Sequence, residues 1–444
     1  MNASGKLRVA RSAKKRADAE WRRRVRNLLH AEGFWRYSRV RSGLPRQGWK
    51  IHVSATALSA NKVFAQVYPV LRAHNVSFKV VATLTILEQL NSGLGKFSQV
   101  GKFLTAYPKS TAQATALAKD LHAATRGLSG PKIPYDLRYR QRGIVYYRYG
   151  SFGGGPTGVI LDPQGKAHPD RRQPDSAVPP WLDDPFRRAS PKGGFSVGPL
   201  GPDFIPFKAL MQRGKGGVYE ALDLSVSPVR LVVIKEGRRH GETAWNGMDG
   251  NDLVRREAAV LRALARAGIP VPEVLRAFEA NRNRYVVLEK IKGKPLLDRM
   301  RPQPARPSWR RARQTLEMLE PVIAAIHQAG WVWRDCKPSH IFIEDGRVRL
   351  IDFEGACKTD DIDVLPWASR NYSPPLDEEP FATRRKGTWE DDYALGVIAF
   401  QLGTGKFPPP ESRRRASLYR RTKCPEALRK KIDRLLEISS SRVQ

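Results

Sequence analysis

Six short segments in a fixed order constrain this 444-residue chain more than its composition does. "QRGKGGVYEALDL" (212–224) sets Gly214, Gly216 and Gly217 ahead of Val218, and "LVVIKE" then puts Lys235 in a β-branched run. Glu257 follows in "RREAAVLRALARAG", an amphipathic helical pattern that Gly268 ends. "WRDCKPSH" carries Asp335 and Lys337, "RLIDFEG" places Asp352 at the end of an apolar strand, and "EDDYALGVIAF" opens an apolar helix with Asp391. Any one of these acids alone reads as a turn or cap residue. In this order they describe one device. Glycine N–H groups cover phosphates, a lysine reaches them, one carboxylate orients an attacking hydroxyl and another grips a divalent cation.

This half of the chain resembles the protein kinase superfamily. The resemblance implies a two-lobed fold that uses ATP or GTP with Mg²⁺, with Lys235 paired to Glu257 and Asp335 as the base beside Lys337. It implies Asp352 on the metal, Asp391 as the anchor of the catalytic loop, and Glu289 and Ile291 among the nucleotide-binding residues. Two letters depart from the usual pattern. Trp333 stands where most kinases have His, a structural position that a large aromatic could fill. His340 stands where an Asn oxygen usually binds the second Mg²⁺. Mg²⁺ is hard and prefers oxygen, whereas imidazole suits softer metals. His340 is therefore expected at the metal as a poor ligand, in a kinase that leans on Asp352 and needs high Mg²⁺.

The preceding two hundred residues read differently. A basic helix is expected over 11–30, with Trp21, Val25, Leu28 and Leu29 on one stripe. "WKIHVSAT" (49–56), "VSFKVVA" (76–82) and "GIVYYRYGSF" (143–152) read as strands, and 59–74 and 110–126 as helices. "NSGLGKFSQVGKFLTAYP" reads as a Gly/Lys-rich loop. Residues 153–203 are dense in Gly and Pro, so the expected division is 1–152, an irregular linker over 153–203, and 204–444. The fold class is α+β in both halves.

Net charge is +35, and residues 1–50 alone hold 15 Lys/Arg against 3 Asp/Glu. Such charge draws polyanions: nucleic acid, anionic lipid, or acidic and phosphorylated peptides. No zinc-finger, RRM or KH signature supports nucleic acid. No apolar run is long enough to cross a membrane and no secretory signal opens the chain, so a cytoplasmic setting is expected. Cys336, Cys357 and Cys424 form neither a disulfide framework nor a zinc constellation, so no zinc is expected.

Within the first half, Lys50 and His52 lie two apart on a strand and so leave one face together. Lys79 sits in an apolar strand, where burial and neighbouring cations would lower its pKa and make it a usable base. Lys96, Lys102 and Arg148 add charge that could hold a dianion. The arrangement is similar to the phosphothreonine lyases of bacterial effectors. That likeness implies Lys79 as general base, His52 as general acid, and Lys50 and Arg148 as phosphate ligands, with Lys96 and Lys102 as further candidates.

A lyase followed by a kinase resembles one family closely, the class III lanthipeptide synthetases. "GWKIHVSAT", "FKV", "GKFSQVGKFLTAYP", "YRYGSF" and "PPWLDDPF" carry the likeness across roughly residues 20–400. It implies a bifunctional dehydratase acting on a precursor peptide with a leader, phosphorylating Ser and Thr and eliminating phosphate to dehydroalanine and dehydrobutyrine. The family's usual third domain, a zinc-dependent cyclase, is expected to be lacking, since the kinase-like part is expected to run to residue 444. A separate cyclase or a cysteine decarboxylase is thus a candidate partner. Two alternatives stay open: a regulatory Ser/Thr kinase or small-molecule phosphotransferase with an unrelated basic domain, and a pseudokinase scaffold.

Overall fold

The computed structural model describes residues 4–30, 33–38, 43–152, 158–174, 176–186, 200, 203–300, 307–362, 364, 367, 369–374 and 386–437. The first unit opens with helix α1 (Ser4–Val25). Strands β1 (Leu29–His30), β2 (Trp35–Tyr37) and β3 (Gln47–Val53) follow, then helix α2 (Ala60–Ala73), β4 (Ser77–Val81), helix α3 (Leu84–Ser92), β5 (Leu104–Tyr107), helix α4 (Thr111–Ala124), β6 (Leu137–Arg138) and β7 (Val145–Ser151). The strands form one seven-stranded sheet in the order β1-β2-β4-β5-β3-β7-β6, with every pair antiparallel.

Period-two alternation sorts the faces of this sheet. Trp49, Ile51 and Val53 of β3 join Val145 and Tyr147 of β7 in a core shared with Val63, Val67 and Leu121 of the helices. Lys50, His52, Tyr146 and Arg148 therefore take the other face. Trp21 and Val25 are buried in this core, yet α1 stops at Val25. Leu29, expected on the helical stripe, is half exposed on β1, because two residues of that segment pair with β2 instead.

The segment read as a Gly/Lys-rich loop contains the end of α3 and all of β5. Leu104 and Ala106 are buried, but four residues give too short a run for alternation to register among the glycines. Within 153–203, β8 (Val159–Leu161) pairs with β9 (Ala167–Pro169), and the following turn lays Phe186 on Tyr147 with ring centroids 4.1 Å apart.

The second unit begins with β10 (Phe204–Gln212), β11 (Gly216–Asp223) and β12 (Arg230–Gly237), then helix α5 (Gly250–Arg266), β13 (Val274–Ala280) and β14 (Asn283–Glu289). They form an antiparallel sheet ordered β10-β11-β12-β14-β13. A reciprocal capping box between Asp249 and Asp252 starts α5. A largely helical lobe follows: β15 (Lys294–Pro295), α6 (Leu296–Arg299), α7 (Trp309–Gln328), β16 (Trp331–Val332), β17 (Ile341–Glu344), β18 (Arg347–Leu350), β19 (Cys357–Lys358), α8 (Trp389–Thr404), α9 (Ser412–Arg421) and α10 (Glu426–Leu436). Helix α8 is buried nearly all round, as its continuous apolar sequence requires.

The two units touch at α3. Ser92 O accepts from Gly214 N at 2.9 Å, and Glu88 Oε1 accepts from Trp245 Nε1 at 2.6 Å.

Candidate active sites

Register brings the first site together. In an antiparallel ladder, directly opposed residues share a face. Lys50 opposes Arg148, His52 opposes Thr105, and Thr105 opposes Lys79. Four residues singled out in the sequence thus meet on three strands. With Lys96, Lys102, Thr105, Tyr107 and Arg172 they line a cavity of about 600 Å³. Lys79 Nζ stands 4.3 Å from the centre of the Trp35 ring, which forms part of the same wall.

Two acids unmarked in the sequence organise these cations. Asp136 is buried, with His52 Nδ1 at 2.7 Å from Oδ2, and Lys102 Nζ at 3.6 Å and Arg148 Nε at 3.8 Å from Oδ1. Asp170 accepts from Arg148 Nη2 at 2.7 Å, and its other oxygen lies 3.9 Å from Lys50 Nζ. Asp170 and Arg172 lie in the Gly/Pro-rich stretch read as linker, and Asp136 lies in "PYDLRY", where neither periodicity nor spacing marks it. Contact with Asp136 fixes His52 Nδ1 and leaves Nε2 for the cavity.

Burial brings Lys50 down to about 7, with Asp170 opposing the shift, and brings Lys102 down to about 8 against the pull of Asp136. It also lowers His52 to about 4, despite the same carboxylate. Burial alone would raise Asp136, yet Lys102 and His52 hold it down at about 2. A cavity with buried, partly discharged cations is set to gain protons when an anion enters.

The second site lies between the lobes of the second unit. Lys235 Nζ meets Glu257 Oε1 at 2.6 Å and Asp352 Oδ1 at 2.9 Å. Glu257 also accepts from Phe353 N at 3.0 Å, which ties α5 to the segment after Asp352. Burial would lower Lys235, but Asp352 and Glu257 hold it well above the usual lysine range. Val218 opposes Lys235 on β11 and so shares its face.

Asp391 accepts from Trp333 N and Arg334 N, both at 2.8 Å, and faces His327 Nε2 at 3.0 Å, which anchors the catalytic loop as expected of that acid. Asp335 accepts from Lys337 at 3.0 Å and from Ser369 Oγ at 2.5 Å, while Lys337 also donates to Ser369 at 2.7 Å. Ser369 had no signal in the sequence. Trp333 is fully buried, stacks on Phe353 at 5.2 Å and donates from Nε1 to Asp352 O at 3.0 Å.

His340 lies between two carboxylates, with Nδ1 3.4 Å from Asp335 Oδ2 and Nε2 3.3 Å from Asp352 Oδ2. One ligand atom from each of Asp335, His340 and Asp352 falls within 4.8 Å of the others, close enough to share one ion. Two hard oxygens fit Mg²⁺ and the imidazole fits it less well.

The expected nucleotide-binding residues divide. Gly216 and Gly217 open β11, and a Cβ on Gly216 would lie 1.7 Å from Glu236 O. Gly214, in the turn before it, approaches the first unit rather than an open cleft: a Cβ there would lie 1.6 Å from Asn91 O. The Glu289 carboxylate is taken by Arg349 at 2.6 Å, and Ile291 is half-buried just beyond β14.

Residues 210–442 match the protein kinase domain family, and the chain belongs to it. Residues 9–193 match the RamC N-terminal domain, so the chain carries the two-part order by which it resembles class III lanthipeptide synthetases. A probable SapB synthase of Streptomyces coelicolor is 32% identical over 395 residues, covering 84% of this chain and 41% of that protein. The serine/threonine-protein kinase pkn2 of Myxococcus xanthus is 30% identical over 226 residues, 47% of this chain and 26% of its own. The serine/threonine-protein kinase F of Synechocystis is 28% identical over 222 residues, 46% and 44% respectively. The chain thus spans less than half the length of each of these relatives. No described helix is long and apolar enough to cross a membrane.

Proposed function

We propose that the chain dehydrates Ser and Thr of a ribosomal precursor peptide, as part of lanthipeptide-type biosynthesis, by phosphorylating the hydroxyl and then eliminating phosphate. The single observation that carries this reading is the pairing of an ordered phosphoryl-transfer site with a separate cavity that collects Lys50, His52, Lys79, Lys102 and Arg148. The product of the first is an anion of the kind the second is built to hold.

In the second unit, Asp335 accepts the proton of the peptide hydroxyl while Lys337 and Ser369 fix the carboxylate. A bound nucleoside triphosphate, ATP or GTP, supplies the phosphoryl group, and Mg²⁺ held by Asp352 and His340 would screen its charge. In the first unit, Lys50 and Arg148 hold the phosphate. Lys79 takes the α-proton, the Cα–H electrons become the Cα=Cβ bond, and the Cβ–O bond breaks. The departing phosphate takes a proton from His52 Nε2. His52 at about 4 is neutral in the empty cavity, so the incoming dianion must raise it before it can serve as the acid.

The test uses a synthetic phosphoserine peptide without nucleotide. Release of inorganic phosphate and a dehydroalanine product, lost in Lys79→Ala and kept in Asp352→Asn, is the expected result. Intact phosphopeptide after prolonged incubation with the wild-type chain would leave only a kinase beside a basic domain.

A further inference from the structure

The loop at 92–102 belongs to both sites. On one side Ser92, Leu94, Gly95, Lys96, Gln99 and Lys102 line the basic cavity. On the other, Ser92 O accepts from Gly214 N at 2.9 Å, at the glycine-rich turn, and Phe97 lies 5.2 Å beneath the Arg238 guanidinium. Arg238 in turn grips that turn, donating from Nη1 to Arg213 O and from its backbone N to Lys215 O, both at 2.7 Å.

The loop is closed at its base by one side chain. Asn91 Nδ2 donates to Ala55 O at 3.0 Å, and its Oδ1 accepts from Gly101 N at 2.9 Å. The main chain of Asn91 is also what Gly214 packs against. The far side of the turn is latched as well, because Lys215 Nζ meets Glu354 Oε2 at 2.6 Å, two residues beyond Asp352.

These contacts set up a competition. Glycine-rich turns hold nucleotide phosphates with backbone N–H groups, and here the Gly214 N–H is already given to Ser92. We infer that the two sites exclude one another through this loop: nucleotide draws the turn off Ser92, whereas a phosphorylated peptide held at Lys96 and Lys102 keeps the loop seated against it. The enzyme then alternates between adding a phosphate and removing it, with no second triphosphate tightly held during elimination. This rests on the lyase reading for the identity of the anion and on the distances above for the coupling.

Linkage makes the test reciprocal, because phosphopeptide must weaken nucleotide binding by the same factor by which nucleotide weakens phosphopeptide binding. Binding of a fluorescent non-hydrolysable ATP analogue with Mg²⁺ is titrated with and without a saturating phosphoserine peptide, using the full chain. To stop turnover during the titration, Lys79→Ala is used in both arms. The expected result is a nucleotide Kd at least about threefold weaker with phosphopeptide. In Phe97→Ala, a residue that is not among those lining the cavity, the factor falls towards one while each Kd alone stays near its original value. Equal nucleotide Kd with and without bound phosphopeptide overturns the coupling, and so does a shift that Phe97→Ala leaves intact. A wild-type chain that shows the coupling but releases no phosphate refutes the lyase reading alone.

Discussion

His340 offers the sharpest perturbation, since its ring lies between Asp335, the expected base, and Asp352, the carboxylate expected on the metal. Mg²⁺ sets its ligands at about 2.1 Å, so neighbouring ligands of an octahedral ion stand about 3.0 Å apart and opposite ones about 4.2 Å. His340 Nε2 stands 3.3 Å from Asp352 Oδ2, near the spacing of neighbouring ligands, while the opposite ring nitrogen Nδ1 faces Asp335 Oδ2 at 3.4 Å. A small contraction would make these two atoms, His340 Nε2 and Asp352 Oδ2, neighbouring corners of one octahedron, one of them nitrogen. His340→Asn replaces that corner with a carbonyl oxygen on a shorter side chain. The Mg²⁺ concentration that half-saturates nucleotide binding should fall about three- to tenfold, equivalent to about 0.7–1.4 kcal/mol. The assay is a Mg²⁺ titration of nucleotide affinity by calorimetry, repeated with Mn²⁺, which tolerates imidazole and should show a smaller difference between variant and parent. A requirement unchanged or raised in the variant would show that His340 does not stand at the metal.

Asp136→Asn keeps the shape of the buried carboxylate but leaves Lys102, His52 and Arg148 without their shared counter-charge. Loss of one partner from a buried pair costs about 3–5 kcal/mol, so urea unfolding at pH 8 should show a clearly lower midpoint. Trp333→Ala, at a fully buried position stacked on Phe353, should cost about 3–5 kcal/mol in the same measurement. The pH dependence has a definite sign. His52 is held near 4 in the fold against about 6.5 when unfolded, so the unfolded chain binds the extra proton between those values and stability rises with pH across that window. Lys50, near 7 against 10.5, adds the same slope from neutral to alkaline pH. An anion reverses this: sulfate, which keeps its charge across the range, should bind more tightly at pH 6.5 than at 8.5 and with proton uptake, read by calorimetry in buffers of different ionisation enthalpy. Proton release on binding would contradict the lowered pKa values.

Legibility in the sequence followed the physics of each feature. The second unit was readable because its chemistry sits at fixed separations, Asp335 to Lys337 to His340 and on to Asp352, on elements with strong periodicity. Lys50 and His52 were readable as a pair because strand alternation alone puts them on one face. Their meeting with Lys79 and Arg148 depends on which strands pair, and β5, the strand that joins β3 to β4, is too short to stand out among glycines. Asp136 and Asp170 were silent for a related reason: each acts from a loop through a tertiary contact that no local pattern encodes. Leu29 was placed on a helical stripe that tertiary pairing overrode, since β1 joins β2 at the sheet edge. The seating of Gly214 on Asn91 could not be read from either half alone, because glycine in a phosphate-binding turn and glycine at a close approach look the same in sequence.

The central claim is that one chain adds phosphate to a peptide hydroxyl and then removes it with the adjacent β-carbon unsaturated. It is tested most directly by intact-mass spectrometry of a Ser/Thr-containing precursor peptide incubated with nucleotide, Mg²⁺ and the Lys79→Ala chain. Peptide heavier by one phosphate per modified residue, converted to the dehydrated mass when Asp352→Asn chain is added, is the predicted outcome. Dehydrated peptide formed by Lys79→Ala alone at the parental rate, or phosphopeptide that the added chain cannot convert, would contradict it.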